Sequence, residues 1–416
     1  MSSLHASNYS LDHKALSQLI SDRENVLIIQ DLDGVCMGLV KDPLTRVIDP
    51  KYLTAVKSLA GHFFVLTNGE HIGKRGVNHI VDKALPDKET AKEKGLYLPG
   101  LAGGGVQWQD CYGNVSHPGV SQAELDFLAA VPEKIKLRLQ KLLAKPEYSL
   151  ESDRAKQCIE ATVLDNLVSP TANLNVFYEA LGDREYANLQ REMHQLMEEL
   201  LADARQQNLE DSFFVHYAPN LGRDDRGMEI MQPSKEGDSG TTDFQFMLRG
   251  GIKEVGVLVI LNRYYYLQTG NYPLGKEFNA RQAPRQQSEL LELVKNNFDP
   301  SLMPTIVGVG DTVTSKAEEI AGELKFRRGG SDRGFLELIQ ALGKEFDTEN
   351  VVVYIDSSQG EVKNRKPLKL SGNKVIEGPG DARDTQDPLR LNVVFPGGYE
   401  TYIEFFVETA RSRSLN

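Results

Sequence analysis

The chain alternates short, wholly apolar runs with stretches in which apolar residues recur every three or four positions. The first kind reads as a strand buried on both faces, the second as a helix lying on such a sheet. Val26 to Gln30, His62 to Leu66, Thr305 to Gly310 and Val351 to Ile355 are runs of the first kind, and by the same criterion so is Glu254 to Leu261. Helical spacing predicts Leu11 to Ile20, Pro50 to Ala60, Gly73 to Ala84, a segment near Thr242 to Leu248, Ala283 to Asn297 and Ser331 to Phe346. Two longer helices, Ser121 to Lys145 and Arg184 to Gln206, are interleaved with strands at Cys158 to Leu164, Ser212 to Tyr217 and Gly227 to Met231. This block, residues 110–225, is predicted to be an inserted α/β domain, with 1–109 and 226–416 forming two parts of one core. Leu389 to Val407 predicts a C-terminal hairpin around Pro396-Gly397-Gly398. The fold class implied is α/β: a Rossmann-like parallel sheet with an inserted α/β domain.

Composition narrows the function. A net charge of −12 over 416 residues opposes a broad nucleic-acid or anionic-membrane surface. No apolar run approaches the ~18 residues of a membrane span. Met1 to Lys14 lacks the basic-then-apolar pattern of a secretory signal. Three cysteines, Cys36, Cys111 and Cys158, form no Cys-x-x-Cys pair and fit a reducing cytoplasm.

The chemistry gathers at strand ends. Asp31-Leu-Asp33-Gly34 closes the first apolar run, and residues two apart in a strand face the same way. Two acids in one cleft repel, so they need a cation or a shared proton. Thr67-Asn68 closes the second run, Ser234-Lys235 follows the inserted block, and Gly310-Asp311 closes a later strand. In open α/β sheets such carboxyl ends surround the ligand. The set is coherent for phosphoryl transfer. Asp31 would attack phosphorus, Asp33 would act as general acid and then base, and Thr67, Asn68 and Lys235 would bind the non-bridging oxygens. Asp31 and Asp311 would hold Mg²⁺, which prefers oxygen ligands.

These four ordered motifs resemble the haloacid-dehalogenase superfamily, and the acid at Asp33 resembles its phosphatase branch. The insert between Thr67 and Lys235 is similar to the type-two α/β cap of its sugar phosphatases. The resemblance implies the main-chain carbonyl of Asp33 as a further Mg²⁺ ligand. Four stretches, Gln30 to Val40, Leu164 to Thr171, Thr269 to Gly275 and Arg328 to Gly334, carry a closer resemblance to the cyanobacterial glucosylglycerol-phosphate phosphatases. That implies hydrolysis of glucosylglycerol phosphate, the last step in making an osmoprotectant used under salt stress, with the synthase that makes the ester as a possible partner. Composition and spacing do not themselves show the sugar.

One departure concerns the position four residues after Asp311, where the superfamily often has a second acid and this chain has Ser315. Ser315 is expected to hold at most a coordinated water. Substrate contacts are expected from the insert: Asp165, Asn166, Asn173, Asn175, His216, Tyr217, Arg226 and Glu229 at strand ends, Arg223 as an anion attractor, and Trp108 as a ring platform. The segment holding Asn271 and Tyr272 is a further candidate wall. Three alternatives stay open: a phosphatase of sucrose or trehalose phosphate, a sugar phosphotransferase or mutase on the same core, and a non-catalytic carbohydrate-binding protein.

Overall fold

The computed structural model describes residues 4–148, 150–225, 227–320 and 322–415. In chain order the strands are β1 (Val26–Gln30), β2 (Phe63–Leu66), β3 (Gly100–Ala102), β4 (Gln107–Gln109) and β5 (Val115–Ser116). They continue with β6 (Val163–Leu164), β7 (Thr171–Asn173), β8 (Phe213–Ala218), β9 (Asn220–Arg223), β10 (Glu229–Met231) and β11 (Asp243–Leu248). The last seven are β12 (Thr305–Gly310), β13 (Thr314–Ile320), β14 (Glu323–Gly329), β15 (Val351–Ile355), β16 (Lys369–Ser371), β17 (Lys374–Glu377) and β18 (Val393–Phe395).

The principal sheet has the order β18-β15-β12-β1-β2-β3-β4-β5. From β18 to β3 every pair is parallel. β1 lies centrally, which is why Val26 to Gln30 are all buried and show no polar alternation. Its side chains divide between two apolar layers: Val26 and Ile28 join Val65, Val307, Phe395 and Phe406, while Leu27 and Ile29 join Leu66, Leu258 and Leu336. The expected α/β class, a parallel sheet with helices on both faces, is what the chain forms.

A second sheet, β6-β7-β11-β8, carries the long helices Gln122–Leu143 and Asp183–Gln206. The first of these starts in a capping box between Ser121 and Glu124. β11 comes from beyond residue 225, so the expected boundary there cuts a sheet; the chain returns to the principal layer at Lys253. β4 and β5, at the other boundary, belong to the principal sheet.

Four expected elements differ. Glu254 to Leu261 belongs to the helix Lys253–Thr269, not to a strand. That helix is apolar nearly all round because it packs on β2 and β3 and on the helix Arg333–Phe346; an apolar run alone does not separate the two conformations. Gly256 permits the approach to β2: a Cβ there would lie 2.4 Å from Leu66 Cδ1. Asp243 to Leu248 is a strand and not a helix, its Asp-Phe-Gln-Phe order having a period of two. Cys158 lies in the helix Ser152–Thr162, and only Val163–Leu164 is strand. The C-terminal hairpin is instead β18 followed by the helix Gly398–Leu415. Among the described residues no helix is long and apolar enough to cross a membrane.

Candidate active site

Parallel pairing of β12, β1 and β2 carries Asp311, Asp31 and Thr67 to one edge of the principal sheet. The ladder continues one residue past β1, where the Asp31 N–H donates to Val309 O at 2.9 Å. Gly34 then turns the chain in the left-handed region, φ +77°. A Cβ on it would lie 2.3 Å from Asp311 Oδ2, so the turn is pressed directly against that carboxylate. Asp33 faces Arg46, whose Nε lies 2.7 Å from Asp33 Oδ1.

The lysine of the site is Lys253. Its Nζ lies 3.0 Å from Asp31 Oδ1 and 2.6 Å from Asp332 Oδ1, and its side chain is 2 % exposed. Lys235, expected in this role, is exposed on a tight turn closed by the main chain of Asp238, and it does not line the cleft. A lysine that heads an otherwise apolar helix, Ile252-Lys253-Glu254-Val255, is the sequence signal that points to Lys253.

Asp332, at the N-cap of the helix Arg333–Phe346, is a second residue of the site that no sequence motif marks. It makes no side-chain hydrogen bond to its own helix. Its Oδ2 instead accepts the N–H groups of Asp311 and Thr312, each at 2.9 Å, while Oδ1 takes Lys253. Oxygens of Asp31, Asp311 and Asp332 lie within 4.8 Å of one another. Asp311 Oδ1 accepts from Thr312 Oγ1 at 2.6 Å, and Arg365 Nε lies 3.6 Å from Asp311 Oδ2, too far for a hydrogen bond. Ser315 does not line the cleft; its Oγ donates to Asp384 at 2.5 Å beside a separate hollow.

Electrostatics follow from this crowding. Burial pushes the Asp31 carboxyl up to about 8, with Lys253 opposing and Asp332, Asp311 and Asp33 adding to the rise. Burial likewise raises Asp311 to about 6 against the pull of Arg365. Burial also works to raise Asp332, but Lys253 and the two N–H donors outweigh it and hold the carboxyl below its ordinary value.

Above these groups lies a cleft. Its floor holds Asp31, Asp33, Lys253 and Asp311, with Thr67 at the side, where Thr67 Oγ1 accepts from Gly69 N at 3.2 Å. Arg46, Arg75 and Arg365 also line it, as do Asn166, Asn173 and Asn175 from the second sheet layer. Asn68 is tied to that layer: its Nδ2 lies 2.8 Å from His216 Nε2, and His216 Nδ1 lies 2.9 Å from Glu229 Oε1. Glu229 also accepts from Tyr217 N at 2.9 Å, so this chain of bonds orients Asn68; His216 and Glu229, expected as substrate contacts, line a neighbouring hollow and not the cleft. Glu70 makes a second tie, accepting from Ser169 N at 3.0 Å.

Other expected contacts fall elsewhere. Asp165 is exposed and paired with Arg75 at 2.8 Å; the arginine, not the acid, reaches the cleft. Trp108 lies on β4, against Phe64 and under Arg263 at 4.5 Å, outside the cleft. Tyr217 is buried with its hydroxyl 2.7 Å from His194 Nδ1. Arg223 pairs loosely with Glu254 beside a neighbouring hollow. Tyr272 stacks on Tyr266 at 4.0 Å, away from the site. Arg226 lies outside the described residues. Arg46, Arg365, Asp243 and Gln245 line the cleft without having been expected there.

Residues 25–410 match the glucosylglycerol-phosphate phosphatase family. The chain belongs to this family. A glucosylglycerol-phosphate phosphatase of Synechocystis sp. is 57% identical over 419 residues, covering 99% of each chain. Among solved structures, the C-terminal domain of a Candida albicans trehalose-6-phosphate phosphatase gives a TM-score of 0.47 at 11% identity, covering 98% of this chain and 99% of that one. An Aspergillus fumigatus trehalose-6-phosphate phosphatase gives 0.39 at 9% identity, covering 97% and 99%.

Proposed function

We propose that this protein hydrolyses glucosylglycerol phosphate to glucosylglycerol and inorganic phosphate, with Asp31 as nucleophile and Mg²⁺ as cofactor. The observation that carries the site is the buried contact of Lys253 with Asp31 at the sheet edge, beside Asp311. The substrate comes from the family and the 57% identical relative.

The donor set suits a small hard cation. Three buried carboxylates face one ammonium and one guanidinium, an excess of negative charge. Asp311 Oδ2 is buried without a hydrogen-bond donor. Both oxygens of Asp332 are already engaged, so Asp31 and Asp311 would hold the ion, with the Asp33 carbonyl suggested by the superfamily resemblance. When bound, the cation neutralises the carboxylates and the phosphate enough for two anions to meet.

An Asp31 carboxylate oxygen bonds to phosphorus as the ester P–O bond breaks, and Asp33 gives its proton to the leaving alkoxide. Water then attacks the aspartyl-phosphate, Asp33 takes the proton, and inorganic phosphate leaves with Asp31 restored. Lys253 holds Asp31 in place and counters charge on the phosphoryl oxygens; Thr67 and Asn68 are the neutral donors beside it. Arg46, with Nε 2.7 Å from Asp33 Oδ1, holds the Asp33 carboxyl in place. Phosphomonoester hydrolysis is so slow unaided that the site must lower the barrier by roughly 20 kcal/mol or more.

This reading includes a cytoplasmic setting, which the three free cysteines suit, and supply of the ester by its synthase. A phosphate-release screen over glucosylglycerol, sucrose, trehalose and glycerol phosphates with Mg²⁺ tests it. The glucosylglycerol ester should give the highest kcat/KM. Equal rates on all four, or transfer of phosphate to added sugar in place of water, would overturn it.

A further inference from the structure

The roof of the cleft is one face of the second sheet. In β11, Phe244 and Phe246 are fully buried in the apolar layer beneath the long helices. Successive strand residues point to opposite faces, so Asp243 and Gln245 turn toward the cleft, and both line it. β7 runs antiparallel beside them, with Asn173 opposite Asp243 and Thr171 opposite Gln245, and these two line the cleft as well. Four cross-strand positions thus form one polar strip lining the cleft.

The strip is only partly satisfied from within. Asn173 Nδ2 donates to Asp243 Oδ1 at 2.8 Å, and Thr242 Oγ1 donates to Asp243 Oδ2 at 3.0 Å. Asn173 Oδ1 in turn accepts from Asn175 N at 3.1 Å and Nδ2 at 2.9 Å. Gln245 Oε1, by contrast, is buried and has no donor. A buried amide oxygen left unpaired costs free energy unless a donor arrives. Among the described residues no aromatic side chain lines the cleft, so a ring platform is not the means of recognition.

Resting on the functional reading above, we infer that Asp243 and Gln245 on β11 are the specificity-determining residues. They accept hydrogen bonds from hydroxyls of the polyol part of the substrate, and Gln245 Oε1 takes the donor it lacks. A site built to bond a hydroxyl rejects an analogue lacking it far better than an apolar pocket rejects a size change. Discrimination therefore reads hydroxyls, not ring faces.

The test measures kcat and KM with Mg²⁺ for glucosylglycerol phosphate and for p-nitrophenyl phosphate, which has no sugar hydroxyls. The proteins are wild type, Gln245→Leu and Gln245→Glu. In the Leu variant KM for the sugar ester should rise ~10-fold or more, and the ratio of its kcat/KM to that of the nitrophenyl ester should fall by a similar factor. Gln245→Glu keeps an acceptor and should recover part of that ratio. A folded Gln245→Leu protein with an unchanged ratio overturns the inference and leaves the functional reading standing. Wild-type turnover of the nitrophenyl ester with none of the sugar ester overturns both. If Gln245→Leu does not fold, Asp243→Asn is judged on the same ratio by the same criterion.

Discussion

Lys253 Nζ bridges Asp31 and Asp332, at 3.0 and 2.6 Å, inside a pocket that leaves the lysine side chain 2 % exposed. The bridge joins the strand end that carries Asp31, the proposed nucleophile, to the loop that presents Asp311, because Asp332 also receives the N–H groups of Asp311 and Thr312. One ammonium therefore sets the relative position of the two carboxylates proposed to share a cation. Lys253→Met should reduce kcat/KM by ~10³-fold or more, the scale seen when a group acting only at the transition state is removed. Lys235→Ala should stay within about twofold of wild type, as is usual for an exposed side chain away from the site. Steady-state kinetics on the two purified variants decide the assignment.

Asp332 acts through its neighbours and not on substrate. Asp332→Asn keeps the shape but weakens the hold on Lys253 and on the Asp311 loop, and should cost ~10- to 100-fold in Mg²⁺ affinity, as loss of an outer partner typically does. The Mg²⁺ concentration giving half-maximal activity is the readout, with kcat at saturating metal changing less.

The bound cation should also be visible without turnover. A ligand that binds only the folded state at about 100 times its Kd adds about 2.7 kcal/mol of stability. Mg²⁺ should therefore raise the melting temperature of wild type, and chelation should reverse the rise. Asp311→Asn should melt at one temperature with or without the ion.

Gly34 offers a steric test. Its φ of +77° disfavours any side chain, and a Cβ would collide with Asp311 Oδ2 at 2.3 Å. Gly34→Ala should displace the Asp311 carboxylate, proposed to hold the cation, by a fraction of an ångström to an ångström and lose about 10²-fold in activity. The same substitution at Gly61, φ +85° but with open space around it, should cost a little stability and little activity.

Much of this site was legible in the sequence, and what was missed has a physical pattern. Asp31, Asp33, Thr67 and Asp311 stand at the ends of strands announced by apolar runs, and a parallel sheet brings such ends together whatever lies between them. Lys253 and Asp332 were hidden because their neighbours gave competing signals. Lys253 opens an apolar, β-branched run that reads equally well as a strand, and Asp332 stands where a helix cap is expected. Arg46, Arg365 and Asp243 depend on how loops and the second sheet fold over the edge, which no local pattern specifies. Trp108 was misplaced for the opposite reason: a single large ring attracts a functional role, yet here Phe64 and Arg263 cover it.

The loop after β2 carries a pH-dependent contribution to stability. His71 is fully buried, its Nε2 lies 3.2 Å from Gly100 O, and burial lowers its pKa from 6.5 to about 4. The folded state thus favours the neutral ring, and between pH 6.5 and 4 the unfolded chain binds more protons. Stability is complete above about pH 6.5 and falls as the pH drops toward 4, by about 3 kcal/mol over the window. Urea unfolding of wild type and His71→Gln at pH 7.5 and 4.5 isolates this group: the stability difference between the two proteins should shift by about this amount, while the raised carboxyls of Asp31 and Asp311, whose sign is opposite, cancel in the comparison.

Asp31 is proposed to carry the phosphoryl group between substrate and water. Acid quench of wild type reacting with ³²P-labelled glucosylglycerol phosphate, followed by peptide mapping, tests it most directly. Acid-stable, hydroxylamine-labile label is expected on the peptide containing Asp31, and neither label nor turnover in a folded Asp31→Asn protein. Phosphate release that continues in Asp31→Asn at a rate near wild type, with no labelled peptide in either protein, would contradict it.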